Sequence, residues 1–294
     1  MKLIKNILKK IVPPTINILN RNVDAIIRKQ DQSIKDIDSI DKKIIVLQKK
    51  QDSLIKLKDD VQRLRKEIEK STRINNEAVW AAIFNNTISN SAWLKDRSFS
   101  PGRWAVGYPC LYVMYRILND MRPQNILEIG LGQSTRMIGQ YAAAFDNINH
   151  ILVEHDKDWI NFFINDFKLS SHTKVKQLDR EMISYKDAES VRVFKGFKES
   201  FSNQKFDFIF IDAPLGSDMK QYSRIDTLFI LPDCLSDNFV ILIDDFNRIG
   251  EQHTVAEIEN ILNNASIPYK KGKYSGQKDC AVICSEKLGF CTSL

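Results

Sequence analysis

Residues 125–135, Asn-Ile-Leu-Glu-Ile-Gly-Leu-Gly-Gln-Ser-Thr, constrain the fold more than any other stretch. A short β-type run ends at Gly130, and Gly132 leaves a place where backbone can approach a ligand closely. Ser134 or Thr135 can then cap a helix. A strand that stops at glycines and restarts as a helix opens a βαβ unit. The same rhythm continues downstream, with β-type runs at 150–154, 174–178, 206–212, 239–243, 269–274 and 279–284. Most are separated by segments long enough for a helix. Phe208-Ile-Phe-Ile and Phe239-Val-Ile-Leu-Ile are near-continuous apolar runs, as strands covered on both faces require. The expectation is an α/β fold with a doubly wound, mostly parallel, seven-stranded sheet.

The N-terminal quarter is of another kind. Residues 1–72 hold 18 basic and 10 acidic residues, leaving 25 basic and 27 acidic residues for the rest, so the net charge of +6 belongs to this arm alone. That argues against a nucleic-acid partner for the main domain. Leu3, Ile4, Ile7, Leu8 and Ile11 share one helical face against Lys2, Lys5, Lys9 and Lys10, and Pro13-Pro14 stops the helix. Such a basic amphipathic helix suits either an anionic membrane surface or a partner subunit. From 15 to 72 there is no glycine, and apolar residues recur at three- and four-residue steps: Ile37, Ile40, Ile44, Leu47, then Leu54, Leu57, Val61, Leu64 and Ile68. This spacing predicts a coiled coil with a register shift at Leu54, roughly 80 Å long, that makes a homo-oligomer. The expected organisation is a basic helix at 1–14, a coiled coil at 15–72, a helical lid or linker at 73–120 and the α/β domain at 121–294. The five scattered cysteines read as buried thiols of a cytosolic protein.

Chemistry is expected at the strand ends. Glu128, two residues before Gly130, would repel a pyrophosphate but can pair with an ammonium group, which favours S-adenosylmethionine over a dinucleotide. Glu154 ends the second strand, where an acid can accept both ribose hydroxyls. Asp179, just past the third run, is placed with Glu128, Gly130, Gly132, Ser134, Thr135 and Glu154 as a cofactor contact. Asp212 ends the run at 206, and Asp244-Asp245 end the run at 239. Three carboxylates at one sheet edge are costly without a cation, and hard oxygen ligands suit Mg²⁺ or a similar ion. Arg103, Tyr222, Arg224 and Arg248 are candidate contacts for an anionic acceptor.

The order Glu128-x-Gly130-x-Gly132, Glu154, Asp212, Asp244-Asp245 resembles class I methyltransferases, which share a Rossmann-like sheet. The aspartate pair looks like the metal-dependent sugar O-methyltransferases related to macrocin O-methyltransferase. The resemblance covers about residues 97–285 and implies that Asp212, Asp244 and Asp245 hold Mg²⁺. It also implies a further acid, as general base, two residues after the first ligand. Pro214 stands there, so His253 is the substitute base, with Asp212 beside it. The implied activity is S-adenosylmethionine-dependent O-methylation of a saccharide, such as a bacterial cell-surface glycan or its lipid-linked precursor. The place of action would be the cytoplasm, peripheral to the inner face of the membrane. The alternative is a catalytically degenerate coiled-coil scaffold of a polysaccharide assembly system.

Overall fold

The computed structural model describes residues 14–102 and 105–294. The basic helix expected before Pro14 and the candidate Arg103 lie outside these residues. Helix α1 (Pro14–Ile88) runs unbroken for 75 residues. It continues past the coiled-coil boundary expected at residue 72, because no glycine or proline interrupts the chain there. The chain divides into two compact units, Met1–Ile68 and Glu69–Leu294. In the first, the seam residues Ile37, Ile40, Ile44, Leu47, Leu54, Leu57, Val61, Leu64 and Ile68 are all exposed. Among the described residues no helix is long and apolar enough to cross a membrane.

The second unit is built on β1 (Asn125–Ile129), β2 (Asn149–Glu154), β3 (Thr173–Gln177), β6 (Phe206–Ile211), β7 (Leu235–Ile243), β8 (Tyr269–Ser275) and β9 (Asp279–Ser285). Their order in the sheet is β3-β2-β1-β6-β7-β9-β8, all parallel except that β9 runs antiparallel to β7 and β8. The short β8–β9 turn makes that reversal necessary, since a tight connection can join only antiparallel strands. This is the Rossmann-like doubly wound sheet expected from the β-type runs. A separate hairpin, β4 (Arg180–Tyr185) with β5 (Ala188–Phe194), was not anticipated. Most of β4 is exposed, so it carries no apolar pattern to read. The short helix α5 (Phe197–Phe201) leads from this hairpin back towards β6.

Alternation along the strands splits the core in two. Phe208, Phe210, Val240 and Leu242 face one layer with Met137, Ile138 and Tyr141 of α3 (Gln133–Ala144). Ile209, Ile211, Ile241 and Ile243 face the other, with Val255, Ile258 and Leu262 of α6 (Ile249–Asn264). Each fully buried side chain of this size contributes about 1.5–3 kcal/mol. The segment expected as a lid is part of the first layer: Phe84, Leu94, Leu111 and Met114 are fully buried. Leu111 and Met114 lie on α2 (Tyr108–Arg116). The last turns of α1 are tied to the same layer. Trp80 Nε1 donates to Ser275 O at 3.1 Å. Glu77 accepts from the Tyr108 N–H at 2.6 Å and the Gln277 N–H at 2.8 Å.

The strand order reverses between β1 and β6, with β2 and β3 on one side and β7 on the other. In an open α/β sheet that switch point leaves a crevice beyond the carboxyl ends of the strands, and ligands bind there.

Candidate functional site

Gly130 closes β1 with φ +110°, a conformation that L side chains rarely adopt, and an added Cβ would lie 2.9 Å from Ala213 Cβ. The two strand ends therefore touch, and the Asp212 N–H donates to Ile129 O at 2.9 Å. Glu128, expected to meet a ligand's ammonium, is instead fully buried. Its Oε1 accepts from Ser134 Oγ at 2.6 Å and Thr135 Oγ1 at 2.9 Å, while Oε2 lies 3.0 Å from His150 Nε2. Thr135 Oγ1 also accepts the Gly132 N–H at 3.0 Å. Glu128, Ser134 and Thr135, expected as ligand contacts, brace the glycine turn from within. A carboxylate with three polar partners can stand in a core where an unpaired one could not.

Glu154, at the end of β2, braces the same turn from the other side. Its Oε2 accepts the Leu131 N–H at 3.2 Å, and Oε1 accepts the N–H groups of His155 at 2.6 Å and Asp156 at 3.0 Å. Oε2, holding one donor, retains capacity for a ligand hydroxyl. Asp179 is exposed. It lines a separate depression with His155, Arg180 and Arg192.

A cavity of about 430 Å³ lies over the turn. Its lining includes Leu131, Gly132, Gln133 and Arg136, with Asp212 among the same walls. Trp159, Phe162, Phe163 and Asp166, all on α4 (Lys157–Asp166), form another side. Ser100, Gly102 and Ala105 come from the Gly/Pro-punctuated loop before α2, and the Ser100 N–H is tied to Gln133 Oε1 at 3.1 Å. Of the expected site residues, Gly132 and Asp212 share this cavity. The aromatic wall was missed in the sequence because α4 reads as an ordinary amphipathic helix. Trp159 and Phe162 nevertheless stack at 5.5 Å while remaining 40% and 63% exposed.

Asp212, Asp244 and Asp245 do converge, with one ligand atom from each within 4.8 Å of the others. They arrive together with cations. Arg224 Nη2 lies 3.1 Å from Asp212 Oδ1 and 2.8 Å from Asp245 Oδ2. Lys278 Nζ lies 3.4 Å from Asp244 Oδ2 and 3.2 Å from Asp245 Oδ1. Arg248 Nη1 lies 2.8 Å from Asp245 Oδ2 and 3.5 Å from Glu251 Oε1. Burial pushes Asp212 up to about 8, with Arg224 opposing and Asp244 reinforcing the shift. Burial likewise raises Asp244 to about 6, against the pull of Lys278. Asp245 is held low: burial works against it, but Arg224, Lys278 and Arg248 outweigh that.

Arg224 and Arg248, expected as acceptor contacts, lie here as counter-ions of the acid cluster. The residues also do not fit Mg²⁺: four carboxyls, counting Glu251, already face three cations, and Arg224 bridges two of the three intended ligands. His253 is exposed on α6, with Nδ1 2.6 Å from Gln221 O, and Tyr222 packs against His253 and Tyr185. Neither lines the cavity.

No protein-family profile and no curated protein matches the chain. Solved structures are similar to it at low identity. The O-methyltransferase TomG of Streptomyces achromogenes, solved with S-adenosylmethionine, is 13% identical over 71% of this chain and 98% of its own, with a TM-score of 0.48. An O-methyltransferase from Bacillus cereus, solved with S-adenosylhomocysteine, is 14% identical over 72% and 91%, with a TM-score of 0.39. A methyltransferase from Geobacter sulfurreducens is 13% identical over 70% and 88%, with a TM-score of 0.40. At these levels the likeness is one of fold.

Proposed function

We propose that this chain is an S-adenosylmethionine-dependent O-methyltransferase acting on a saccharide. The observation that carries this reading is one cavity whose walls include both Gly132 of the glycine turn and the strand-end carboxylate Asp212. The turn has room for close approach, because an added Cβ at Gly132 would meet nothing within 4 Å. Glu154 Oε2 offers an acceptor for a ribose hydroxyl. In the reaction an acceptor hydroxyl oxygen attacks the methyl carbon and the carbon–sulfur bond breaks. Its electron pair stays on sulfur, giving S-adenosylhomocysteine, and the hydroxyl proton passes to Asp212. Holding the two reactants in one chamber supplies much of the rate.

Support for a saccharide comes from the aromatic wall. Trp159 and Phe162 present apolar faces to a ring, and Gln133 and Asp166 offer polar groups to its hydroxyls. The exposed seam of α1 supports a homo-oligomer, because isolated apolar stripes on a long helix are unfavourable in water. The basic residues before Pro14 support peripheral contact with an anionic membrane at its cytoplasmic face, where a lipid-linked glycan would be presented. Incubation with labelled S-adenosylmethionine and fractionated cell-surface saccharides, read by mass spectrometry, tests the activity. A methyl ester, a methylated protein or no product at all would reject saccharide O-methylation.

A further inference from the structure

We propose that Arg224, together with Lys278, is the resident cation of the strand-end acid cluster and stands where a divalent ion would otherwise bind, so that this protein takes up no Mg²⁺. The resident cation rests on geometry; metal-free methyl transfer, its corollary, rests on the function proposed above.

The guanidinium is an inseparable part of the cluster. Arg224 is 3% exposed. Its Nη2 bridges Asp212 Oδ1 and Asp245 Oδ2, Nη1 donates to Asp244 O at 3.1 Å, and Nε lies 3.6 Å from Glu251 Oε1. Arg224 and Asp245 both hold left-handed backbone, each with φ 58°, and this geometry brings the two side chains together. Every oxygen of Asp245 is taken, Oδ2 by Arg224 and Arg248 and Oδ1 by Lys278. Asp244 Oδ1 is the buried oxygen of the Asp212, Asp244 and Asp245 trio that has no partner. An ion held by all three aspartates would have to displace the guanidinium that bridges Asp212 and Asp245. A guanidinium has no lone pair to offer and stays protonated at any working pH, so it can neither join the coordination sphere nor neutralise itself to admit an ion. A divalent ion would add positive charge where four carboxyls already face three cations in a largely buried place, and unpaired charge there is costly.

The cation is also covalently supplied from two distant places in the chain. Arg224 follows β6 and Lys278 lies in the β8–β9 turn, so the cluster assembles only when β7 and β9 pair. Folding itself then delivers the positive charge that other sites obtain from solution.

The test uses the full-length protein, first stripped with EDTA, then titrated calorimetrically with MgCl2 and MnCl2 and melted with and without millimolar Mg²⁺. The expected result is no saturable heat and an unchanged Tm. Arg224→Met and Lys278→Met remove one cation each while keeping apolar bulk. Both should melt lower than wild type and, unlike it, should regain Tm with Mg²⁺. If Arg224→Met does not fold, Lys278→Met decides alone. Stoichiometric Mg²⁺ binding by the wild type would overturn the proposal, as would folded variants that gain no response to Mg²⁺. Should a methylated product be found, turnover undiminished by EDTA supports the corollary and Mg²⁺-restored turnover refutes it. Failure to find any product would count against the methyltransferase reading only, and the metal titration would still decide between a resident side-chain cation and a bound ion.

Discussion

Substituting the two turn glycines separately distinguishes backbone need from ligand need. At Gly130 the φ of +110° is rarely adopted by L side chains, and the new methyl would sit 2.9 Å from Ala213 Cβ and 3.3 Å from backbone atoms of Ala213 and Asp212. The strained dihedral costs on the order of 1–3 kcal/mol and the overlap about 1–3 kcal/mol more. The Gly130→Ala protein should therefore lose about 2–6 kcal/mol, a Tm decrease on the order of 10 °C for a unit of this size. Because the strain falls on the turn whose next residues, Leu131 and Gly132, line the cavity, cofactor affinity should fall as well. At Gly132 the backbone is extended, with φ −170°, and the added Cβ would meet nothing within 4 Å. Gly132→Ala should melt within about 0.5 kcal/mol of wild type. Its methyl would nevertheless occupy the cavity that Gly132 lines. Calorimetric titration with S-adenosylmethionine should show at least about a tenfold loss of affinity, equal to 1.4 kcal/mol. Equal melting of the two variants would refute the strain argument. An unaltered Kd in Gly132→Ala would refute placement of the cofactor against this turn.

Asp226 gives a pH test. It is 1% exposed, Oδ1 accepts the Phe194 N–H at 2.7 Å, Oδ2 has no partner, and burial raises its pKa from 3.8 to about 7. The folded state holds this proton more tightly, so the contribution is fully present below about pH 4 and is lost as pH rises through 7, about 4 kcal/mol in all. Asp226→Asn keeps the Phe194 acceptor without the titration, and its melting should vary less between pH 5 and 8; parallel profiles would contradict the assignment. Asp212→Asn should bind S-adenosylmethionine normally and lose methyl transfer by at least about 100-fold, with wild-type turnover ruling it out as proton acceptor. A protein of residues 69–294 should be a folded monomer by light scattering while the full chain is an oligomer; an oligomeric fragment would remove α1's seam from the account.

Much of the fold was legible because it depends on local order. The run Asn125–Ile129 into Gly130 reads as strand and turn from backbone freedom alone, and Phe208–Ile211 reads as a doubly covered strand from composition alone. The β4–β5 hairpin was not legible, since its exposed strand carries no alternating signal. That the helical region after residue 72 is one helix with the coiled coil was not legible, since helix length depends on the absence of a stop.

The candidate site divides in the same way. The sequence by itself determined that carboxylates end β2, β6 and β7, and that a glycine turn follows β1, because strand ends in a parallel sheet fall on one edge. Which way those groups point, and what meets them, only the tertiary structure decided. Glu128 is turned inward by its place in the β1 pleat and by His150 across the strand pair. Arg224 and Lys278 reach Asp245 from 21 and 33 residues away in the chain. Charge neutralisation among buried groups depends on distances of a few ångströms, and no spacing along a chain records them. Three aspartates in sequence thus call for a cation, and the fold supplies it from its own side chains.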